Sequence, residues 1–70
     1  MAELTNTLRR FRFEADEMTQ QALADALGVS RQTIHAIEKG KFNPSVKLAL
    51  EMARFFETSV ESIFTLKGVE

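Results

Sequence analysis

Two short helices joined by a tight turn are predicted by TQQALADALGVSRQTIHAIEK, residues 19–39. Thr19 and Ser30 each stand where a side-chain hydroxyl can accept a hydrogen bond from a free amide of the helical turn that follows. Gly28 follows the last apolar residue of the first helix, where a left-handed backbone costs least without a side chain. The three-residue turn that begins at Gly28 therefore predicts a helix-turn-helix motif.

The apolar residues of this stretch are spaced for two helices that cross steeply. Ala24 supplies a small side chain where the two helices approach most closely. The apolar seam around it is predicted to consist of Leu23, Leu27, Val29, Ile34 and Ile37. The rest of the second helix carries mainly polar side chains, which leaves an outward surface that can form hydrogen bonds.

Three further helices are predicted on either side of the motif. Apolar residues at helical spacing extend over residues 6–15, ahead of the motif. After the turn signal Asn-Pro-Ser at residues 43–45, apolar residues cover most of a fourth helix, so we expect this helix to be the most buried and its phenylalanines to lie in the core. Thr58 or Ser59 can cap a fifth, short helix that ends at about Phe64.

These elements predict an all-α fold, a five-helix bundle in a single domain over residues 1–70. The tail, residues 65–70, alternates weakly between apolar and polar residues and could form a short C-terminal strand or fray. A chain of 70 residues without cysteine has no disulfide, so its stability must come from packing or from association. The small size therefore favours a homodimer.

Charge is distributed unevenly along the chain. The net charge of −1 argues mildly against nucleic acid as a partner. Residues 30–47 nevertheless carry Arg31, Lys39, Lys41 and Lys47 against the single acid Glu38. This segregation indicates one basic face, although a charge cluster alone is more often a solvated surface.

Several classes of protein are excluded by what the sequence lacks. No stretch approaches the roughly 18 apolar residues of a membrane span, and the N-terminus lacks the regions of a signal peptide, so we expect a cytoplasmic protein. One histidine and no cysteine cannot provide the roughly four ligands of a zinc site. There is no glycine-rich phosphate loop and no Ser-His-acid set, so we expect neither an enzyme nor a bound cofactor or small-molecule ligand.

Four short motifs occur in a specific order: TQQALA at residues 19–24, GVSRQTI at 28–34, IEKGK at 37–41 and NPS at 43–45. In combination they resemble the Cro/phage-repressor-like (XRE) family of helix-turn-helix regulators, over about Leu8 to Phe64. The resemblance implies a compact, stand-alone prokaryotic transcriptional regulator. Such a protein binds a palindromic operator in double-stranded DNA as a homodimer, usually as a repressor.

Mapped onto this sequence, the resemblance makes the second helix of the motif the recognition helix, with its N-terminal end in the major groove. Arg31 and Gln32 are the expected base contacts, because arginine pairs bidentately with guanine and glutamine with adenine. His35 could reach a base or a phosphate one turn further on, and Ala36 could touch a thymine methyl group. The expected contacts to the DNA backbone are Gln20, Ser30, Thr33, Lys39 and Lys41.

A dimer interface is predicted at the C-terminal end. Ile63, Phe64 and Leu66 form more apolar surface than a small monomer can easily hide, so we expect a two-fold dimer through them. Such a dimer would hold the recognition helices about 34 Å apart, and residues 65–69 could pair across its axis as a short strand.

The main alternative is a protein-interaction module, or an antitoxin-like partner, that uses the same bundle. The sequence pI of about 5.8 favours it slightly. Arg31 and Gln32 count against it, since a protein-binding helix would expose more apolar area at those positions.

Further expectations concern residues outside the predicted DNA contacts. Phe13 lies off the apolar stripe of the first helix without an assignment, and Phe42 is expected to pack onto the bundle. Glu38 is expected to be a surface residue that pairs with Lys39 or Lys41. The chain departs from the family pattern where glycine is common, with acidic residues just before the motif at 16–17 and with Glu57 after the fourth helix.

Overall fold

The computed structural model describes residues 3–68 and contains five helices and two short strands. In chain order the elements are β1 (Glu3–Asn6), α1 (Leu8–Glu14), α2 (Gln20–Leu27), α3 (Arg31–Glu38), α4 (Val46–Phe55), α5 (Val60–Ile63) and β2 (Phe64–Lys67). The predicted five-helix fold is confirmed. Residues 65–67 of the tail belong to the strand that the sequence left open, and residues 69 and 70 lie outside the described residues. Strand β1 was not predicted. None of the helices between residues 3 and 68 has the length and apolar character of a membrane span.

Hydroxyl side chains cap four of the five helices. Thr19 Oγ1 accepts a hydrogen bond of 3.0 Å from the amide of Ala22, and Ser30 Oγ accepts one of 3.1 Å from the amide of Thr33. Ser45 caps α4 in the same way. Ser59, rather than Thr58, caps α5. Each cap satisfies an amide that has no partner within the helix. The start of each of these four helices is therefore fixed by a single hydroxyl residue.

Helices α2 and α4 end in the same left-handed turn, one with glycine and one without. At Gly28 φ is +73°, and the next amide, that of Val29, donates to the carbonyl of Ala24 at 3.0 Å. At Glu57 φ is +55°, and the amide of Thr58 donates to the carbonyl of Ala53 at 2.9 Å. An L-residue with a side chain is strained in this conformation, so the chain keeps the glycine-type turn at Glu57 at some cost in stability. Residues 16 and 17 also have positive φ, of +65° and +56°.

The two strands form a small antiparallel sheet from the two ends of the described segment. Leu4 lies opposite Leu66, and the hydroxyls of Thr5 and Thr65 are hydrogen-bonded at 3.0 Å. The side-chain amide of Asn6 donates to the carbonyl of Ile37 at 2.9 Å. An isolated two-stranded sheet is only marginally stable, so this anchor to the end of α3 helps to hold it on the bundle.

One apolar core joins all five helices to β2. Its buried residues are Leu8, Leu23, Ala24, Ile34, Ile37, Leu48, Met52, Ala53, Ile63 and Phe64. The rings of Phe11 and Phe56, with centroids 5.4 Å apart, pack against this core between α1 and the end of α4.

The dimer interface was predicted because Ile63, Phe64 and Leu66 were expected to be exposed in a monomer, and the structure contradicts this for two of them. Ile63 is 1% exposed and Phe64 is 7% exposed in the single chain, because α5 turns both side chains inward. Only Leu66, at 66%, remains exposed. The expectation that a monomer cannot hide this end is therefore wrong for two of the three residues.

Helix α4 has three buried residues, more than any other helix in the described part of the chain, as expected. Its apolar residues nevertheless point in all directions while only one face meets the core, and Val46, Leu50 and Phe55 are exposed. The expectation that its phenylalanines lie in the core is therefore wrong for Phe55. Phe42 does not pack into the bundle, since half of its surface, 51%, is exposed. Phe13 is exposed as well.

Candidate nucleic-acid interface

The helix-turn-helix motif places the predicted base contacts on the outer side of α3. Ile34 and Ile37 fix the orientation of this helix, since both are fully buried against α2 and the core. With about 100° of rotation per residue, the opposite side of the helix then faces outward. Arg31, Gln32 and His35 are exposed on that side, and Ala36 is half-buried beside them.

A cationic cleft of about 480 Å³ lies between α1, α2 and α3. We call it the α1–α3 cleft, and its lining residues are Arg9, Arg12, Gln20, Arg31, His35, Glu38 and Lys39. Four cations surround one carboxylate, so the cleft has a positive excess although the whole chain carries −1. A surface of this charge favours a polyanion such as the DNA backbone.

A buried ion pair forms the floor of this cleft. Arg12 donates to Glu38 through Nε at 2.6 Å and through Nη2 at 2.9 Å, and its Nη1 donates to the carbonyl of Met18 at 2.7 Å. The pair is almost fully shielded, with the side chains of Arg12 and Glu38 only 14% and 7% exposed. The prediction that Glu38 pairs with Lys39 or Lys41 at the surface is wrong, because its partner lies on α1.

The carboxylate of Glu38 is held in its charged form by these contacts. Burial raises its pKa, but hydrogen bonds from Arg12 and Gln20 together with the charges of Arg12 and Arg9 outweigh burial and leave the pKa below its ordinary value. The hydrogen bond to Glu38 also raises the pKa of Arg12. One charged cluster thus ties the end of α1 to the start of α2 and the end of α3.

Gln20, the first residue of α2, is positioned by the same cluster. Its side-chain amide donates to Glu38 Oε1 at 3.1 Å and lies 3.4 Å from Nδ1 of His35. The residue predicted to contact DNA backbone is therefore fixed at the wall of the cleft, next to a predicted base contact.

A second, smaller cleft of about 380 Å³ lies on the other side of α3. We call it the α3–loop cleft, and it is lined by Ser30, Gln32, Thr33, Ala36, Lys41 and Phe42. The hydroxyls of Ser30 and Thr33 are hydrogen-bonded to each other at 3.0 Å. All nine residues predicted to contact DNA therefore line one or other of the two clefts that flank α3.

Arg9 and Phe42 are the surface residues that sequence reasoning missed. Arg9 lies three positions before Arg12, hence on the same face of α1, and this spacing was a visible signal. What the sequence did not show was that this face of α1 would meet α3. Phe42 follows the IEKGK motif directly, but nothing in the sequence distinguished an exposed ring there from a packed one.

Comparisons with known proteins agree with this geometry. A helix-turn-helix family profile matches residues 10–63. An uncharacterized HTH-type transcriptional regulator of Methanocaldococcus jannaschii is 52% identical over 67 residues, which cover 96% of this chain and 100% of that protein. One from Archaeoglobus fulgidus is 47% identical over 63 residues, 90% of this chain and 89% of that protein.

A solved structure is similar as well. A protein of Bacteroides fragilis proposed to bind DNA has a TM-score of 0.75 with 19% sequence identity, over 89% of this chain and 98% of that one. At this level of identity the likeness supports the fold alone.

Together with the fold, the profile match and these relatives define a helix-turn-helix DNA-binding protein of the XRE type. The chain belongs to the family of HTH-type transcriptional regulators. This is a class of DNA-binding proteins and not of enzymes.

Proposed function

We propose that this regulator binds a specific palindromic operator as a homodimer, with the N-terminal end of α3 in the major groove, and represses transcription. The observation that carries the proposal is the position of the exposed Arg31 and Gln32 between two clefts, one of them strongly cationic. In this arrangement the side chains at the start of α3 reach base edges while the cations beside them meet phosphates.

The residues divide into two roles. Arg31 pairs with a guanine and Gln32 with an adenine, while His35 and Ala36 extend base contact along the helix. Gln20, Ser30, Thr33, Lys39 and Lys41 contact the sugar-phosphate backbone, and we add Arg9 to this group because it lines the α1–α3 cleft. These contacts fix the register of the protein on the duplex and carry no sequence information themselves.

The homodimer rests on a smaller surface than the sequence suggested. Leu66 is the exposed apolar residue of the original set, and it lies on β2, whose outer edge has no strand partner within residues 3–68. Two copies related by a two-fold axis at this edge would present two recognition helices to one palindrome. Sedimentation of wild type and Leu66→Glu tests this interface, since the variant should be monomeric and should lose affinity for the full palindrome.

The test of function is a binding titration on DNA selected from a random pool. We expect Arg31→Ala/Gln32→Ala to lose preference for the selected sequence while weak, non-specific binding remains. Lys47→Ala is the matched control, since Lys47 is an exposed cation on α4 that lines neither cleft. It should keep the preference and the affinity of wild type.

Repeating the titration over a range of salt concentrations separates the two roles. Removing one phosphate contact, as in Arg9→Ala, should lower the slope of log K against log salt by about 0.9. A wild-type protein that shows no preference for any sequence over bulk DNA would contradict the proposal. That result would favour the interaction module or antitoxin-like partner instead.

A further inference from the structure

The α3–loop cleft is lined by the exposed side chain of Phe42, and contacts between the protein and DNA phosphates do not explain an aromatic ring there. Half of the surface of Phe42 is exposed, in a cleft whose other lining residues, apart from Ala36, are polar or cationic. The backbone holds this position firmly, since Gly40 N donates to the carbonyl of Ile37 at 3.0 Å and Lys41 N donates to that of Ala36 at 2.9 Å. These two bonds close the end of α3 and direct the next residue back beside the helix.

The lining of the cleft is less polar than its residue types suggest. Ser30 Oγ accepts from the amide of Thr33, and the hydroxyls of Ser30 and Thr33 satisfy each other. The apolar groups among the lining residues are the methyl groups of Thr33 and Ala36 and the ring of Phe42. Gln32 and Lys41 line the cleft as well and add an amide and an ammonium group.

We propose that this cleft accepts the C5-methyl group of a thymine in the base pair next to the one that Gln32 reads, and that Phe42 is a specificity-determining residue. The inference rests on the proposed function. The thymine methyl is the one apolar group that base edges present in the major groove, and alanine, threonine methyl and phenylalanine are suitable contacts for it. Gln32 reads the neighbouring adenine, and Lys41 meets the adjacent phosphate.

The occupant is a methyl group and not a polar base edge. The cleft has no carboxylate to accept a hydrogen bond from the amino group of cytosine. Its one positive residue, Lys41, directly precedes Phe42 in the chain, which suits contact with a phosphate near the base that the ring meets.

The experiment replaces each thymine of the selected operator by deoxyuridine, one position at a time, and measures Kd by fluorescence anisotropy. The substitution removes only the methyl group. We expect one position in each half-site where wild type loses about fourfold in affinity, as for loss of one buried methyl group. At the other thymines, deoxyuridine should change Kd little.

Variants at residue 42 test whether the sensitive thymine of the operator contacts the Phe42 ring. Phe42→Ala should bind the thymine and deoxyuridine operators equally, and Phe42→Leu should keep part of the difference. Phe13→Ala is the matched control, because Phe13 is also exposed but lines neither flanking cleft. It should keep the full fourfold difference, and circular dichroism should show that all three variants fold.

The results separate two kinds of failure. If selection yields no preferred sequence, the proposed function fails and this inference fails with it. If a preferred sequence exists but no thymine is sensitive, or if Phe42→Ala keeps the full sensitivity of wild type, only the assignment of the cleft is overturned.

Discussion

Replacing Glu38 by glutamine tests whether the buried ion pair holds the three helices of the DNA-binding surface together. The substitution keeps the size of the side chain but removes the negative charge that faces Arg12. The guanidinium then keeps two neutral acceptors, the Oε1 of the new glutamine and the carbonyl of Met18 at 2.7 Å, but no counter-charge. Because Arg12 and Glu38 are largely shielded but still line an open cleft, loss of this counter-charge should cost about 2–3 kcal/mol.

This cost is large relative to the stability of so small a protein. A domain of this length is stable by roughly 4–10 kcal/mol, and each kcal/mol lost lowers Tm by about 4–8 °C. We therefore expect Glu38→Gln to melt at least about 8 °C below wild type, by thermal circular dichroism, with a matching loss in urea. Arg12→Met should behave similarly, because it leaves the carboxylate with Gln20 alone.

The matched control is the exposed ion pair between Arg10 and Glu14, 3.1 Å apart on the same helix with both side chains more than half exposed. Arg10→Ala should cost less than about 0.5 kcal/mol. The double variant Arg12→Met/Glu38→Leu should be more stable than either single variant, since an apolar pair leaves no charge buried. If Glu38→Gln and Arg10→Ala differ by less than about 1 kcal/mol, the reasoning from burial is refuted.

Three further predictions follow from the same structure. Because the pKa of Glu38 is lower in the folded protein, its contribution to stability is complete above the unfolded pKa of about 4.3 and is lost as pH falls through the lower folded value. Urea unfolding from pH 6 to pH 3 should therefore show a smaller acid loss in Glu38→Gln than in wild type, and equal slopes would contradict this. Glu57→Gly should stabilise the protein by about 1 kcal/mol, because glycine adopts the positive φ of that turn without strain. An unchanged or lower Tm would show that the strain is relieved elsewhere. Gly28→Ala should destabilise the protein by a similar amount because of the positive φ alone, since a Cβ at this position would meet no atom within 4 Å. An unchanged Tm would show that the turn tolerates an L-residue.

Local signals explain how much of the fold could be predicted from the sequence. Thr19, Gly28 and Ser30 determine the ends of α2 and α3 through contacts within a few residues, and these ends match the structure. β1 could not be predicted in this way, because four residues gain strand geometry only by pairing with residues more than 50 positions away. The exposed apolar residues of α4 were misjudged for a related reason, since composition does not show which face meets a partner.

The residues of the candidate site also differ in whether local sequence signals or contacts between distant elements determine their positions. Arg31, Gln32, His35 and Ala36 could be placed from the motif because they lie on the side of α3 opposite its buried residues, and the motif fixes which side that is. Glu38 was assigned to neighbours in sequence, whereas its partner Arg12 lies 26 positions away and reaches it only after α1 packs beside α3. Arg9 enters the cleft through the same packing. Features that depend on contacts between distant elements were therefore the ones that sequence reasoning missed.

The small sheet has a consequence for engineering this protein. Because Glu3 lies opposite Lys67 on adjacent strands, the two ends of the described segment are neighbours, with the paired Cα atoms about 5 Å apart. A short glycine linker could join them, and new ends opened at the strained turn after α4 would lie outside both flanking clefts. Such a circular permutant should keep its operator preference while Asn6 continues to bind the carbonyl of Ile37. A reporter domain could then be attached outside the two clefts that flank α3.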